Sequence, residues 1–341
     1  MANERFQNAL NRKIQNVPPV WMMRQAGRYH WHYQNLRSQN TFDRLCKDPE
    51  LASEVAMGPV QDFDFDLAIL FSDILFPLEG LGLGLEYTDK GPQFDWHIQD
   101  MNSFKKMKPV EEAIEFMNFQ KDAVRLTREK LPDDKSLIGF IGGPWTLFTY
   151  AATGKHEGSL VQAKKLVRER EEFFKIITKL LNANIQLQLD AGAEVVMIFD
   201  TAAGELCPVA FDEIIIPNLG EIIKAHSGKV GYYMKNAGQH QVDKIQALEG
   251  LAGMGVDHRV YLPDMLRSSQ KGFLQGNFDQ AMLFQDEPDF KKSLGKYIDT
   301  IKELSPEERA GWVCGLGHGV LPKTPEKNVR TFVETVREAF A

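Results

Sequence analysis

Eight short apolar segments recur along the chain, at 19–23, 67–71, 137–141, 195–199, 230–234, 255–260, 272–275 and 312–314, each followed by a small or polar turn. Apolar runs of strand length read as strands buried on both faces, the form found in parallel sheets. Between them, apolar positions mostly fall at helical spacing. Phe174, Ile177, Leu181 and Ile185 share one stripe with Gly192 behind it as a stop signal, and Phe211, Ile214, Ile215, Leu219 and Ile222 share another, in which Pro217 predicts a kink or break. Ser305-Pro306 and Thr324-Pro325 read as helix starts, each a hydroxyl cap followed by proline, and the second opens a C-terminal helix with Val329, Phe332, Val333, Val336 and Phe340 facing inward.

Strand and helix alternating eight times predicts an α/β fold, a single (β/α)8 TIM barrel. No Gly/Ser-rich or Pro-rich linker divides the chain, so residues 1–341 are expected to form one domain rather than two doubly wound halves. Two stretches interrupt the pattern. Gly82, Gly84, Gly91 and Pro92 deny a helix to 81–98, where alternation around Asp89-Lys90-Gly91 predicts a hairpin over one barrel end. The stretch 153–158 reads as a short polar loop.

A formal charge of −7 with no long basic run argues against nucleic acid as a partner; a polyanionic ligand would have to be held locally. Cys46, Cys207 and Cys314 are odd in number and far apart, which fits a reducing compartment, with the cytoplasm as the expected location. The polar stretch 1–17 and the lack of any bilayer-length apolar run predict neither export nor membrane insertion.

Barrel enzymes carry their chemistry where the carboxyl ends of the strands meet the following loops. The first such end places Arg24 and Arg28 four residues apart with Gly27 between them, an arrangement able to hold planar carboxylates or phosphates by paired N–H bonds. Surface ion pairs would use the same two arginines. After the second segment comes Asp73, expected at the edge of a dry cavity; it would serve a ligand, cap the next helix or pair with Arg24. Tyr150 is either a site hydroxyl or core, Thr201 a site hydroxyl or a helix cap, and His318, between Gly317 and Gly319, a substrate contact or a partner for a carbonyl. Lys235 could form a Schiff base, but nothing in Met234-Lys235-Asn236-Ala237-Gly238 supplies the proton relay, and a structural ion pair is the stronger reading. Cys314 and His318 are four apart with Cys207 elsewhere, which is a poor start for a zinc site. The glycines of 80–84 do not follow the strand-to-helix pattern of a dinucleotide fingerprint.

Five stretches together carry a resemblance: Trp21-Met22-Met23-Arg24-Gln25-Ala26-Gly27-Arg28-Tyr29, Phe71-Ser72-Asp73-Ile74-Leu75, Gly143-Pro144-Trp145-Thr146-Leu147, Gln275-Gly276-Asn277 and Leu316-Gly317-His318-Gly319. In this order they resemble the uroporphyrinogen decarboxylase family of porphyrin and haem biosynthesis, from about Pro19 to the C-terminal helix. The resemblance implies a (β/α)8 barrel, usually homodimeric, with no metal or organic cofactor. The substrate implied is uroporphyrinogen, a flexible tetrapyrrole with eight carboxylates, whose four acetate arms lose CO2 to give coproporphyrinogen. It further implies that Arg24, Arg28 and Arg37 bind substrate carboxylates, with Gln25, Ala26 and Gly27 completing that stretch of the site. Asp73 would accept hydrogen bonds from the pyrrole N–H groups. Tyr150, Thr201 and His318 would contact substrate, and Phe71, Phe140 and Phe199 would wall the macrocycle.

The chain departs from the family pattern at several points. His30-Trp31-His32 stands where Leu-Pro-Glu is usual, beside the arginine motif at the expected pocket rim; Thr201 replaces serine, His258 tryptophan, Gly315 asparagine and Gln280 proline. Two rival readings remain: a zinc-dependent methyltransferase of the same superfamily acting on a corrinoid or thiol carrier, and a tetrapyrrole-binding protein without catalysis.

Overall fold

The computed structural model describes residues 2–156 and 158–341. Nine strands form in chain order: β1 (Leu67–Ile69), β2 (Leu85–Thr88), β3 (Gly91–Phe94), β4 (Ser136–Gly142), β5 (Val195–Phe199), β6 (Val230–Tyr233), β7 (Leu251–Gly255), β8 (Phe273–Phe278) and β9 (Trp312–Leu316). Seven of them pair in parallel in one curled sheet, in the order β1-β4-β5-β6-β7-β8-β9. Parallel neighbours need crossovers, and helices supply them: Val167–Asp190 precedes β5, Pro208–Ala225 precedes β6 and Glu287–Lys302 precedes β9.

Strand side chains alternate between two apolar layers. Val195, Met197 and Phe199 lie inside the curl with Leu67, Ile69, Ile138, Phe273 and Val313, whereas Val196 and Ile198 pack with the surrounding helices. The helical stripes meet that outer layer, as Phe174, Ile177, Leu181 and Ile185 do from Val167–Asp190. At the amino end of the strands the short helix Glu4–Leu10 inserts Phe6, whose ring centroid lies 5.8 Å from that of Phe273.

The expected first strand is only partly realised. Segment 19–23 contributes one bridge, Val20 opposite Cys314, with Trp21 N donating to Cys314 O at 3.2 Å and Cys314 N to Pro19 O at 2.9 Å. On its other side, Asp66 N donates to Val20 O at 3.0 Å, but Val20 N donates to the Asp66 carboxylate at 2.8 Å instead of to a ladder carbonyl. Proline at 19 removes one donor from the ladder, and Asp66 diverts the next. The side chains nonetheless alternate as in a strand: Trp21 and Met23 inside, Val20 and Met22 outside.

Other expectations are corrected. The sixth strand is Leu251–Gly255, not 255–260. Its glycines hide it from an apolar-run reading, yet Gly253 is a close-packing position: a Cβ there would lie 2.2 Å from the Phe273 ring. Ser305-Pro306 opens a turn, not a helix; Ser305 and Glu308 cap one another, and Gly311, at φ +91°, leads directly into β9. The C-terminal helix runs Glu326–Phe340, but the Thr324 hydroxyl donates to Leu321 O instead of capping it. The helix Pro208–Ala225 passes through Pro217 without a break.

The hairpin expected within 81–98 forms as β2 and β3, antiparallel with Thr88 opposite Gly91. Of the polar stretch 153–158, Thr153 closes the helix Pro144–Thr153, Gly154 follows in the left-handed region, and Glu157 lies outside the described residues. Among the described residues, no helix is long and apolar enough to cross a membrane.

Asp66 is the common acceptor at the base of the sheet, taking Val20 N, Asn3 Nδ2 at 3.2 Å and the Arg5 guanidinium at 3.1 Å, with Arg337 of the C-terminal helix 3.4 Å away. Asp66→Ala strands a buried amide and loosens four segments together. A loss of about 2–4 kcal/mol is expected in urea unfolding; a loss below about 0.5 kcal/mol would show that the clasp is dispensable.

Candidate active site

The arginine motif forms a tight turn at the carboxyl end of segment 19–23. Gln25 N donates to Met22 O at 3.0 Å and Tyr29 Oη to Gln25 O at 2.8 Å, while Arg24 takes φ +60°, a conformation non-glycine residues rarely adopt. Gln25 is fully buried; its side chain accepts from Met22 N and donates to Leu67 O at 2.8 Å, so it holds the turn from beneath rather than facing the opening. Val320 N donates to Met23 O, tying the turn to the loop after β9. The stem of Arg24 lies over Gly319, where a Cβ would sit 2.5 Å from Arg24 Cδ, which explains glycine at that place. Arg24 and Arg28 are exposed, and neither guanidinium has an ion pair or hydrogen bond among the described residues.

Asp73 follows β1 and is half-buried, its Oδ1 accepting from Leu75 N at 2.9 Å. Burial pushes its carboxyl above the usual carboxylate range, opposed by that amide, by the Arg24 charge and by the Tyr87 hydroxyl. Tyr87 comes from β2, which alternates with Leu85 and Tyr87 inward and Glu86 and Thr88 outward. Its hydroxyl is buried with no well-formed hydrogen bond, close enough to Asp73 that the carboxylate and the surrounding apolar wall drive the phenol pKa far upward.

Tyr150 stands on the helix Pro144–Thr153. Burial raises its pKa, Asp73 adds to the rise and Arg24 opposes it, so acid, guanidinium and phenol lie within reach of one another's charge. Asp200, fully buried at the end of β5, fixes that helix by accepting from Thr146 N at 2.7 Å and Thr146 Oγ1 at 2.6 Å. The approach demands a glycine before the helix, since a Cβ on Gly143 would lie 2.2 Å from the Asp200 side chain.

His318 closes the ring of groups. Its ring centroid is 5.9 Å from that of Tyr233, Tyr233 is 6.1 Å from Phe199, and Phe199 is 5.6 Å from Phe140. These four rings make a continuous wall. Burial, then the Arg24 and Lys235 charges, push the His318 pKa down to about 4 against the pull of Asp257. Thr201 Oγ1 lies 3.4 Å from His156 Nδ1.

Not every expected residue joins this cluster. Phe71 turns away, packing against Tyr33 at 5.7 Å and Phe42 at 6.0 Å. Arg28 and Arg37 both act on the Tyr33 hydroxyl, one step outward from Arg24, and Arg37 donates to Asn40 O at 2.8 Å. Ala26 and Gly27 are half-buried in the turn. Tyr87, His156 and Tyr233 are additional cavity residues; of these, only Tyr87 had a readable signal, the alternation of its hairpin. A surface recess of about 330 Å³ lined by Asp243, Gln246, Ala247, Ser268, Ser269 and Lys271 lies instead at the amino ends of β7 and β8. Among the described residues, no three His, Cys, Asp or Glu side chains converge to hold a metal ion.

The family model for uroporphyrinogen decarboxylase matches residues 1–339. A uroporphyrinogen decarboxylase from Pseudoalteromonas atlantica is 34% identical over 355 residues, covering 100% of this chain and 98% of the relative. Another, from Serratia proteamaculans, is 35% identical over 350 residues, covering 98% and 97%. The chain belongs to the uroporphyrinogen decarboxylase family. A solved structure described as a methyltransferase from Methanosarcina mazei superposes with a TM-score of 0.79 at 18% identity, covering 99% of this chain and 98% of that one; it shares the fold.

The departures from the uroporphyrinogen decarboxylase pattern can now be placed. His30 is buried against Phe63 and hydrogen-bonded to Asp62 at 2.7 Å, while His32 meets Glu54 O at 3.3 Å. Both face the helix Pro49–Phe63, and Trp31 is exposed beside Glu326; the replacement seats a helix and leaves the cavity rim to the arginines. Gly315 admits Trp21 O, which a Cβ would approach to 2.3 Å.

His318 should titrate with a midpoint of about 4 by NMR. Removing one of the cations that depress it, in Arg24→Ala, should move that midpoint upward. A wild-type midpoint near the ordinary histidine value would mean that the ring is solvated.

Proposed function

We propose that this protein is a uroporphyrinogen decarboxylase. It converts uroporphyrinogen III to coproporphyrinogen III by removing four acetate carboxyls as CO2, in porphyrin and haem biosynthesis. The observation that carries the reading is a half-buried carboxylate, Asp73, its pKa raised by burial, within reach of the charge of an arginine turn whose guanidiniums have no ion pair or hydrogen bond among the described residues. The family match over nearly the whole chain supports it. We read the fold as a single-domain closed barrel of residues 1–341, with segment 19–23 as the eighth staves' worth of wall between β9 and β1; its hydrogen bonds to Cys314 and Asp66 support that closure. A cytoplasmic homodimer is the expected working form.

Loss of CO2 from an acetate arm leaves an electron pair on the exocyclic carbon, so an acceptor is needed. The pyrrole itself can serve. Proton addition to a ring carbon makes the pyrrole cationic, the C–CO2 bond breaks with its electrons entering the ring, the exocyclic carbon takes a proton to become methyl, and the ring carbon returns its own. Each cycle consumes one proton and releases one CO2.

Asp73 gives this sequence its electrostatics. An anion already destabilised by burial gains most from a cation arriving beside it, and its oxygens can accept the pyrrole N–H groups, preorganised before charge develops. Arg24, Arg28 and Arg37 set the carboxylate arms, so that the reacting acetate lies over the ring. Tyr150, Thr201 and His318 supply polar contacts, with His318 neutral at physiological pH, and Phe140 and Phe199 exclude water from the macrocycle face. Gln25, Ala26 and Gly27 shape the turn, and Phe71 backs it from behind Tyr33. Local guanidiniums also reconcile a chain of charge −7 with a polyanionic substrate.

Anaerobic incubation with uroporphyrinogen, followed by chromatography, should show hepta-, hexa- and pentacarboxylate intermediates and then coproporphyrinogen. Binding without CO2 release would leave a tetrapyrrole-binding protein and overturn the proposal. Asp73→Asn should fold normally and lower turnover by about 10²-fold or more; near wild-type rates would remove its central role. Arg28→Lys should raise KM several-fold with no change in melting temperature, and an unchanged KM would count against the clamp.

A further inference from the structure

A second group of cationic and donor side chains gathers where the middle strands of the sheet end. The helix Pro144–Thr153 stops at Gly154, whose amide donates to Tyr150 O at 2.7 Å, and the Thr153 hydroxyl donates to Lys155 O, folding the chain back. His97 packs directly on Gly154, where a Cβ would lie 2.9 Å from its ring, and Ile98 N donates to Ala151 O. The loop therefore leaves the helix in a fixed direction. It brings His156 Nδ1 to 3.4 Å from the Thr201 hydroxyl at the end of β5.

The neighbouring strand end comes equally close. Gly204, three residues beyond Thr201, lies against the carbonyl of Lys235, which a Cβ would reach at 1.9 Å. Lys235 follows β6, is half-buried, and its ammonium has no ion pair or hydrogen bond among the described residues. Its charge acts on both His156 and His318. Among the described residues, the acid that acts on His156 is Glu205, and that carboxylate already accepts from Asn236 Nδ2 at 2.9 Å. An imidazole and a hydroxyl thus meet within the field of an ammonium that has no ion pair among the described residues. The arginine turn is a separate group, since it follows segment 19–23 at the β9 edge of the sheet.

We propose that His156, Thr201 and Lys235 form a second carboxylate-binding subsite, and that His156 makes its strength depend on pH. The inference rests on the tetrapyrrole reading above, in which Thr201 contacts substrate, and adds His156 and Lys235 as residues that select the carboxylate arm on that side. In the empty cavity, burial and the Lys235 charge hold His156 below the ordinary histidine value, with Glu205 opposing them, so the ring is neutral at physiological pH. A carboxylate bound beside it favours the imidazolium and raises that value. Between the two values, binding takes up a proton, so affinity falls as pH rises.

The test is the KM for uroporphyrinogen across pH 6 to 8.5 in wild type, His156→Gln and His156→Arg, with melting temperatures as the control for folding. Wild-type KM should rise with pH. His156→Gln should raise KM several-fold at the acid end and flatten the profile while kcat stays within about twofold. His156→Arg, permanently charged, should restore a low KM at every pH. Lys235→Met should raise KM without removing the pH dependence. Product inhibition by coproporphyrinogen, which keeps only propionates, should weaken in parallel if the arm held is a propionate and stay unchanged if it is an acetate; either pattern supports the subsite. A His156→Gln enzyme with wild-type KM and pH profile would overturn it. If the wild-type protein releases no CO2, the decarboxylase reading fails, and the same comparison made on the Kd of uroporphyrinogen still decides the subsite.

Discussion

One carboxylate at the base of the sheet governs what happens at its top. Asp66 takes the amide of Val20 directly, and so fixes the height at which segment 19–23 lies between β9 and β1. Asn3, Arg5 and Arg337 converge on the same side chain, so the two terminal helices are tied to that height as well. With the segment anchored, Trp21 and Met23 must point into the curl, and the chain emerges at Arg24 with no freedom left except the left-handed turn that it takes. A buried acid is costly unless fully hydrogen-bonded, and here its bonds reach three parts of the fold, the N-terminal helix, segment 19–23 and the C-terminal helix. The position of the cationic mouth at Arg24 is therefore set at Val20, by an interaction that faces away from it.

Much of this was legible in the residues. The strand runs at 67–71, 137–141, 195–199 and 230–234 were readable because both faces of a parallel strand are apolar, and the hairpin was readable because glycines forbade a helix. The failures have a common cause: an unseen neighbour decided the local outcome. Leu251–Gly255 looks too rich in glycine to be a strand until Phe273 is known to lie across it. Segment 19–23 looks like an ordinary strand until Asp66 is seen to remove a ladder bond. Within the site, Asp73, Tyr150 and His318 were visible from their places after strands. Gln25 was not separable from its exposed neighbours, because only the carbonyl of Leu67 reveals that its side chain points down. His156 was invisible, since nothing in a polar loop announces that it will return to β5.

The electrostatic design is one of concentration against a hostile background. A protein of charge −7 repels polyanions at long range, and solvent screens that repulsion beyond about 10 Å. Inside that distance the balance reverses, because the Arg24 and Arg28 guanidiniums form no ion pair among the described residues and the charge of Lys235 adds to the field. Burial, with the same field adding to it, keeps His318 uncharged, so the imidazole is a hydrogen-bonding group and not another cation. Asp73 is then an anion placed for a ligand's centre, with cationic groups suited to its periphery.

The β2–β3 hairpin touches this arrangement only through its side chains. It pairs with no strand of the main sheet, and it is inserted between β1 and β4, which pair with each other regardless. Tyr87 nevertheless brings its hydroxyl against the central acid. The cover and the scaffold are thus separable parts: lengthening, trimming or exchanging this ribbon would retune how dry the acid is while leaving every crossover untouched, which makes the insertion a natural place for relatives on the same framework to diverge in chemistry.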